Sequence, residues 1–301
     1  MVRPHGDVDK SALAGAVSGS ISRFLCQPLD VIKIRFQLQV EPIQSLFKKE
    51  LQPKGKYVSI LQCIGCMIKE EGVVSLWKGL IPAQLLSVTY GLAQFSTFKY
   101  VTITPGNNPL YTFIAGGVAG SAATLVSFPF DVIRTRLVAQ GEPKLYHNLF
   151  SAFTHMMSSG GYKTLYQGLL TTLLQNSVQT GLQFSSYYAY EYFIDTYVDP
   201  GHHLHSLKHG LSGSLAGFTA KLVTYPFDVC KKRLQVQGFE KPRLSFGRVV
   251  TYNGLLQCIE KIFKIEGIGG FYKGLSPSLI KAAATTGTTF YFYELILDFV
   301  K

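Results

Sequence analysis

The chain has 301 residues, of which 16% are charged and 47% hydrophobic, and it carries a formal net charge of +11. Uncharged runs over residues 79–98, 100–130 and 168–190, the first and third long enough to cross about 30 Å of hydrocarbon, favour a membrane protein over a soluble core. The basic excess comes with no recognisable nucleic-acid module and no basic helix face interleaved with aromatics, so it points to anions and an anionic membrane surface and away from nucleic acid.

Five cysteines, an odd number, do not build a disulfide framework. Cys63-x-x-Cys66 lacks the second cysteine pair or nearby histidine that four metal ligands need, which leaves it a packing role on a short helix. At the amino terminus, residues 1–10 are too short and polar for a signal peptide and are not the Arg- and Ser-rich stretch of a transit peptide, so targeting is expected to be internal.

A first span is predicted over about residues 10–39, where Gly15 and Gly19 give a small-x-x-x-small face. Pro28 removes a backbone donor and disturbs the turn that holds Phe24, which predicts a kink. Asp30 and Lys33 follow one turn apart, with Gln37 one turn further. A connecting segment with Lys48, Lys49, Lys54 and Lys56 leads to a short helix over 59–69, ended by Glu70-Glu71-Gly72. The next span is 79–102, and a turn at 105–109 opens the span that carries Pro129, Asp131 and Arg134. A second short helix covers 148–159, ended by Gly160-Gly161, and the span after it 168–198. His202, His203, His205 and His209 fall in a loop and helix start, where a surface role is expected. The fifth span carries Pro226, Asp228, Lys231 and Gln235, a third short helix 255–264 ends at Glu266-Gly267, and the last span is 274–300. No paired carboxylates, nucleophile with adjacent base or metal-ligand cluster recurs, so the chain is not read as an enzyme.

The elements repeat. Prolines 28, 129 and 226 lie 101 and 97 residues apart, each opening P-x-D-x-x-[K/R]-x-R. Gly15 and Gly19, Gly116 and Gly120, and Gly213 and Gly217 stand 13 and 9 residues before them. Trp77-Lys78-Gly79, Tyr166-Gln167-Gly168 and Tyr272-Lys273-Gly274 precede the even spans, and Phe95, Phe184 and Phe290 each follow that glycine by 16 residues. An intrahelical Asp30–Lys33 pair would account for one copy of the charged motif. Charges at membrane depth cost about 2.5–3.5 kcal/mol each unless paired or hydrated, and three symmetric copies bring six charges to one end of a bundle, where each aspartate can reach a neighbour's base.

Counted from their glycines, the even spans carry Leu86, Gln175 and Lys281 at the seventh position and Ser87, Asn176 and Ala282 at the eighth. Tyr90, Gln179 and Thr285 hold the eleventh, and Gln94, Gln183 and Thr289 the fifteenth. Positions seven, eleven and fifteen form one stripe, polar or aromatic, which should face water and not lipid. Five residues before each proline stand Arg23, Thr124 and Lys221. Arg23 and Lys221 have no acid beside them in their own helices, so with Lys281 three unpaired cations are expected.

This threefold pattern resembles the mitochondrial carrier family over the whole chain. The resemblance implies an all-α membrane protein, a single membrane domain in which six transmembrane helices form three tandem pseudo-threefold repeats, about 10–104, 109–199 and 205–301, with short matrix-side amphipathic helices around a central cavity. It also implies a monomer in the mitochondrial inner membrane. The matrix gate would be the ion pairs Asp30–Arg134, Asp131–Lys231 and Asp228–Lys33, with Gln37 and Gln235 as braces and Val138 unable to act as one. Bound cardiolipin is implied near Gly72, Gly79, Gly161, Gly168, Gly267 and Gly274, where helix N-terminal amides meet phosphate.

The cytosolic gate of the family reads [F/Y]-[D/E]-x-x-[K/R], and here this chain departs from it. Phe98-Lys99 is followed by Thr102, Tyr187-Tyr188 by Glu191, and Tyr293-Glu294 by Leu297. One reversed pair, Lys99 with Glu191, and Glu294 with Thr102 are the contacts left. A matrix lock stronger than the cytosolic one is therefore expected. Residues 28–39, 139–144, 231–236 and 272–283 are similar to the thiamine pyrophosphate branch of the family in animals. That likeness implies import of thiamine pyrophosphate, with nucleotides as counter-substrates. The diphosphate would meet Arg23, Lys221 and Lys281, a ring could stack on Tyr90, and Gln94, Gln175, Asn176 or Gln179 could bond the pyrimidine. An adenine nucleotide has the same two halves, so an adenine nucleotide or coenzyme A carrier stays open, as does a proton or anion conductor.

Overall fold

The computed structural model describes residues 5–41, 55–101, 109–197, 205–246 and 249–300, and among them there is no strand. The helices are α1 (His5–Leu38), α2 (Ile60–Glu71), α3 (Leu80–Val101), α4 (Pro109–Ala139), α5 (Leu149–Gly160), the four-residue α6 (Tyr162–Leu165), α7 (Leu169–Tyr197), α8 (His205–Gln235), α9 (Leu255–Glu266) and α10 (Leu275–Val300). The predicted spans and short helices all fall on these elements, with ends that differ by a few residues. Thr102, residues 105–108 of the predicted turn, His202 and His203 lie outside the described residues, and Pro109 begins α4.

The chain divides into two compact units. One comprises Met1–Gln167, Gln235–Thr251 and Lys273–Lys301, the other Gly168–Leu234 and Tyr252–Tyr272. In the first, α3 lies along α4 and α10 lies along α1. Ser22 of α1 reaches the Thr288 hydroxyl of α10 at 2.6 Å. In the second, α7 runs beside α8, joined by Tyr190 Oη and Thr219 Oγ1 at 2.8 Å, and α9 packs on α8 through Arg233 and Glu266.

Sequence determines where the short helices start and stop. Ser59 caps α2 by accepting from the Gln62 amide at 3.3 Å, and Asn148 and Ser151 form a reciprocal capping box on α5. Gly72, Gly161 and Gly267 then close α2, α5 and α9 with φ of 81°, 63° and 68°, a region in which a Cβ is strained. Beyond α1 and α4, a glutamine side chain pairs with a tyrosine backbone at two points. Gln39 accepts from the Tyr57 amide at 2.8 Å and donates to its carbonyl at 3.0 Å. Gln140 does the same to Tyr146 at 2.9 and 2.7 Å.

All three motif prolines sit inside continuous helices. A proline supplies no amide to the carbonyl four residues earlier, which for Pro28 is that of Phe24. Trp77 supplies the missing donor, its indole N–H reaching the Phe24 carbonyl at 3.0 Å while its ring stacks on Phe24 with centroids 5.6 Å apart. In the other repeats the matching aromatic stacks one residue before the proline, Tyr166 on Phe128 and Tyr272 on Tyr225. Trp77→Phe keeps a ring and loses the donor, so it should cost about 1–2 kcal/mol and lower the melting temperature in detergent by a few degrees. An unchanged melting temperature would show that the Phe24 carbonyl needs no partner.

Candidate functional site

The predicted charged motif is where the polar side chains of the first unit converge. Asp30 is 7% exposed and accepts from two cations. Arg134 Nη2 lies 2.5 Å from its Oδ2, and Lys281 Nζ lies 2.7 Å from its Oδ1. Arg134 also reaches Gln27 Oε1 at 3.4 Å, and Gln27 donates to the Lys78 carbonyl at 2.8 Å. Asp131, also 7% exposed, accepts from Gln235 Nε2 at 2.8 Å, and Gln235 Oε1 takes the Thr135 hydroxyl at 2.7 Å. Gln235 therefore braces an aspartate of the motif. Gln37 is fully buried, and Val138 lies in the apolar core.

In the second unit, Asp228 repeats the arrangement of Asp30 with different donors. Gln175 Nε2 lies 2.6 Å from Oδ1, and Lys221 Nζ lies 2.7 Å from Oδ2. Lys281 and Gln175 are both the seventh residue after the glycine that starts their helix, and each donates to the motif aspartate of a different repeat. Leu86, the third member of that set, has no group that could do so.

These contacts correct two expectations. Lys221 has an acid in its own helix after all, because Asp228 is seven residues on and two turns bring both to one face. Two of the three cations are also not unpaired: Lys281 and Lys221 are ion-paired, whereas Arg23 Nη1 donates to the neutral Ala83 carbonyl at 2.5 Å. The polar stripe is graded. Gln175 is buried, Tyr90, Gln94 and Gln179 are half-buried, and Asn176 is exposed.

The predicted cytosolic-end residues lie at helix ends. Lys99 is exposed near the end of α3, and Glu294 lines a hollow with Tyr291, Leu295 and Asp298 on α10. Glu191 has His209 Nδ1 at 3.2 Å, and the Tyr187 hydroxyl meets the same nitrogen at 3.0 Å. His209, exposed as expected, therefore joins this cluster. Of the glycines predicted to present amides to phosphate, Gly72, Gly161 and Gly267 already donate theirs to Ile68, Met157 and Phe263. Gly79, Gly168 and Gly274, with φ of 75°, 85° and 80°, are the helix-start set.

Sequence reasoning quoted the last arginine of each motif and gave it no role. Arg35 is 3% exposed and holds both oxygens of Glu71 at 2.7 Å, with the Tyr57 hydroxyl at 2.8 Å. Lys78 adds a contact to Glu71 at 2.5 Å. Arg233, Glu266 and Tyr252 repeat this in the second unit. The signal was present in the Glu-Gly that ends two of the short helices. Cys63 packs with Sγ 3.9 Å from Met67 Sδ, and burial pushes its thiol up to about 12, which suits packing and leaves little thiolate for redox or metal chemistry.

By length and hydropathy, one stretch among the described residues, Ile114–Ala139, is apolar enough to cross a membrane. The even helix α3 nevertheless keeps an apolar, open face. On α3, Ile81, Val88, Leu92 and Phe95 are 67%, 56%, 65% and 77% exposed, one helical face with no protein over it.

Comparison with known proteins gives the same threefold division. The sequence model of the family described as mitochondrial carrier protein matches at residues 6–104, 105–197 and 202–301. The chain is 44% identical over 295 residues to the mitochondrial thiamine pyrophosphate carrier of Pongo abelii, covering 95% of this chain and 91% of that one. It is 44% identical over 299 residues to the carrier of the same name from Bos taurus, covering 96% and 92%. To mitochondrial thiamine diphosphate carrier 2 of Zea mays it is 38% identical over 313 residues, covering 96% and 93%.

Burial alone would raise the Glu71 carboxyl, but Arg35 and Lys78 outweigh it and hold the group below its ordinary 4.5. Its stabilising contribution is therefore complete above the ordinary value and lost as pH falls through the lower folded-state value. Glu71→Gln should melt well below the unsubstituted protein at neutral pH, and the gap should narrow as pH drops under about 4. A gap constant with pH would refute the ion pair as its source.

Proposed function

Since the chain belongs to the mitochondrial carrier family, we propose that it imports thiamine pyrophosphate across the mitochondrial inner membrane in exchange for nucleotides. The observation that carries this reading is 44% identity over 95% of the chain to carriers named for that substrate. It is a carrier and not an enzyme. Six spans in three repeats enclose a central cavity, their apolar faces toward lipid and their polar stripes toward substrate.

The cations stored on aspartates supply the coupling. A diphosphate entering the cavity competes with Asp30 for Lys281 and with Asp228 for Lys221, since each is an ammonium held at 2.7 Å by one carboxylate. Drawing the ammonium to phosphate removes one of the two cations that neutralise Asp30 and weakens the matrix gate from within. Arg23 completes the anion site, and Tyr90, Gln94, Gln175, Asn176 and Gln179 receive the pyrimidine and thiazolium. The matrix gate closes with Asp30–Arg134, Asp131–Lys231 and Asp228–Lys33, and the cytosolic gate with Lys99–Glu191 and Glu294. Substrate favours the transition because it binds one state more tightly than the other. Cardiolipin is proposed at the amides around the helix-start glycines, and the monomer as the working unit.

Purified protein in liposomes should take up labelled thiamine pyrophosphate saturably, faster when preloaded with it or with adenine nucleotide than when empty. Lys281→Ala should lower that uptake at least tenfold, about 1.4 kcal/mol of lost binding. Rapid nucleotide exchange with no thiamine pyrophosphate uptake would keep the carrier and overturn the substrate.

A further inference from the structure

The second repeat departs from the other two at position 160. In the first and third, the buried arginine that ends the motif grips the glutamate closing its own short helix, Arg35 on Glu71 and Arg233 on Glu266. The second has the arginine, Arg136, but Gly160 where the acid would be. A side chain there would meet the Thr164 hydroxyl, which fills the space.

Arg136 is 2% exposed, and every hydrogen bond it makes among the described residues ends on a neutral oxygen. Its Nε donates to the Gln235 carbonyl at 3.1 Å, and its Nη2 to the Gln237 carbonyl at 2.7 Å and to Gln167 Oε1 at 2.8 Å. The guanidinium lies 5.6 Å over the Phe239 ring. Carbonyls at the end of a helix carry partial negative charge, so a guanidinium with no acid in its own repeat finds partners there, and the Glu240 carboxylate of the same stretch adds its charge.

More contacts bind the same stretch to the second repeat. Gln235 bonds Asp131 and Thr135, Tyr146 stacks on Phe239 with centroids 5.0 Å apart, and the Gly141 amide donates to the Pro242 carbonyl at 3.2 Å. Arg136 sits at the centre of this joint. The corresponding residues Arg35 and Arg233 each hold a glutamate of their own repeat.

We propose that Arg136 is a positioning residue that clamps the matrix end of α4 to residues 235–242, a role released to it by the missing acid at 160, and that this clamp loosens when the matrix side opens. The functional half of the proposal rests on the carrier reading. The structural half does not.

Amide hydrogen exchange on the purified protein tests the clamp without transport. Arg136→Met should speed exchange over residues 235–242 by about tenfold and leave α5 within about twofold, whereas Arg35→Met should speed α2. Equal loss in α5, or no change over 235–242, overturns the clamp. Gly160→Glu with Thr164→Ala keeps Arg136 and offers it the acid that the other repeats have, so α5 should gain protection while 235–242 loses it. No transfer of protection in that variant, with exchange elsewhere in the chain unchanged, overturns the proposal.

In liposomes, Arg136→Met should raise uptake by empty vesicles relative to preloaded ones about threefold, with KM within about twofold. An unchanged ratio would leave Arg136 a structural residue and overturn the gating role. If the unsubstituted protein carries no thiamine pyrophosphate, the transport reading fails and the hydrogen-exchange pattern still decides the clamp.

Discussion

Asp30, Asp131 and Asp228 are each less than a tenth exposed, and a carboxylate so placed is tolerated only where cations or strong donors surround it. That requirement organises the molecule. It dictates that Arg134 and Lys281 point at one atom group from two different helices, and that Lys221 and Gln175 do so at another. It also makes the arrangement conditional, because a buried carboxylate that gives up one cation must find another partner for its charge.

The three repeats meet this requirement with different side chains. Asp30 meets Arg134 and Lys281, Asp228 meets Lys221 and Gln175, and Asp131 meets Gln235, which Thr135 holds in turn. The seventh-position residues Leu86, Gln175 and Lys281 carry that difference along the even helices as an alkyl group, an amide and an ammonium.

Much of this was legible in the sequence because it rests on periodicity. The proline motif, the glycine pairs and the even-helix stripe mark the helices and bring the charged motif together, and the family resemblance implied the Asp30–Arg134 contact. The pairing of Lys221 with Asp228 was also legible and was missed, since seven residues is two helical turns and the reading looked only one turn away. Trp77 capping the Phe24 carbonyl was not legible, because a carbonyl orphaned by proline leaves no mark on a residue 53 positions distant. The redeployment of Arg136 was half visible. Gly160 announced a missing acid, but nothing in the letters said where the arginine would turn.

The glutamine–tyrosine clasps carry a consequence for how such a chain can vary. The same two-point pairing closes over seventeen intervening residues (40–56) in the first repeat and five (141–145) in the second. Loop closure grows only with the logarithm of length, so this difference costs about 1 kcal/mol. Because the clasp fixes both ends of the connection, a change of length between them over generations costs little beyond that closure term.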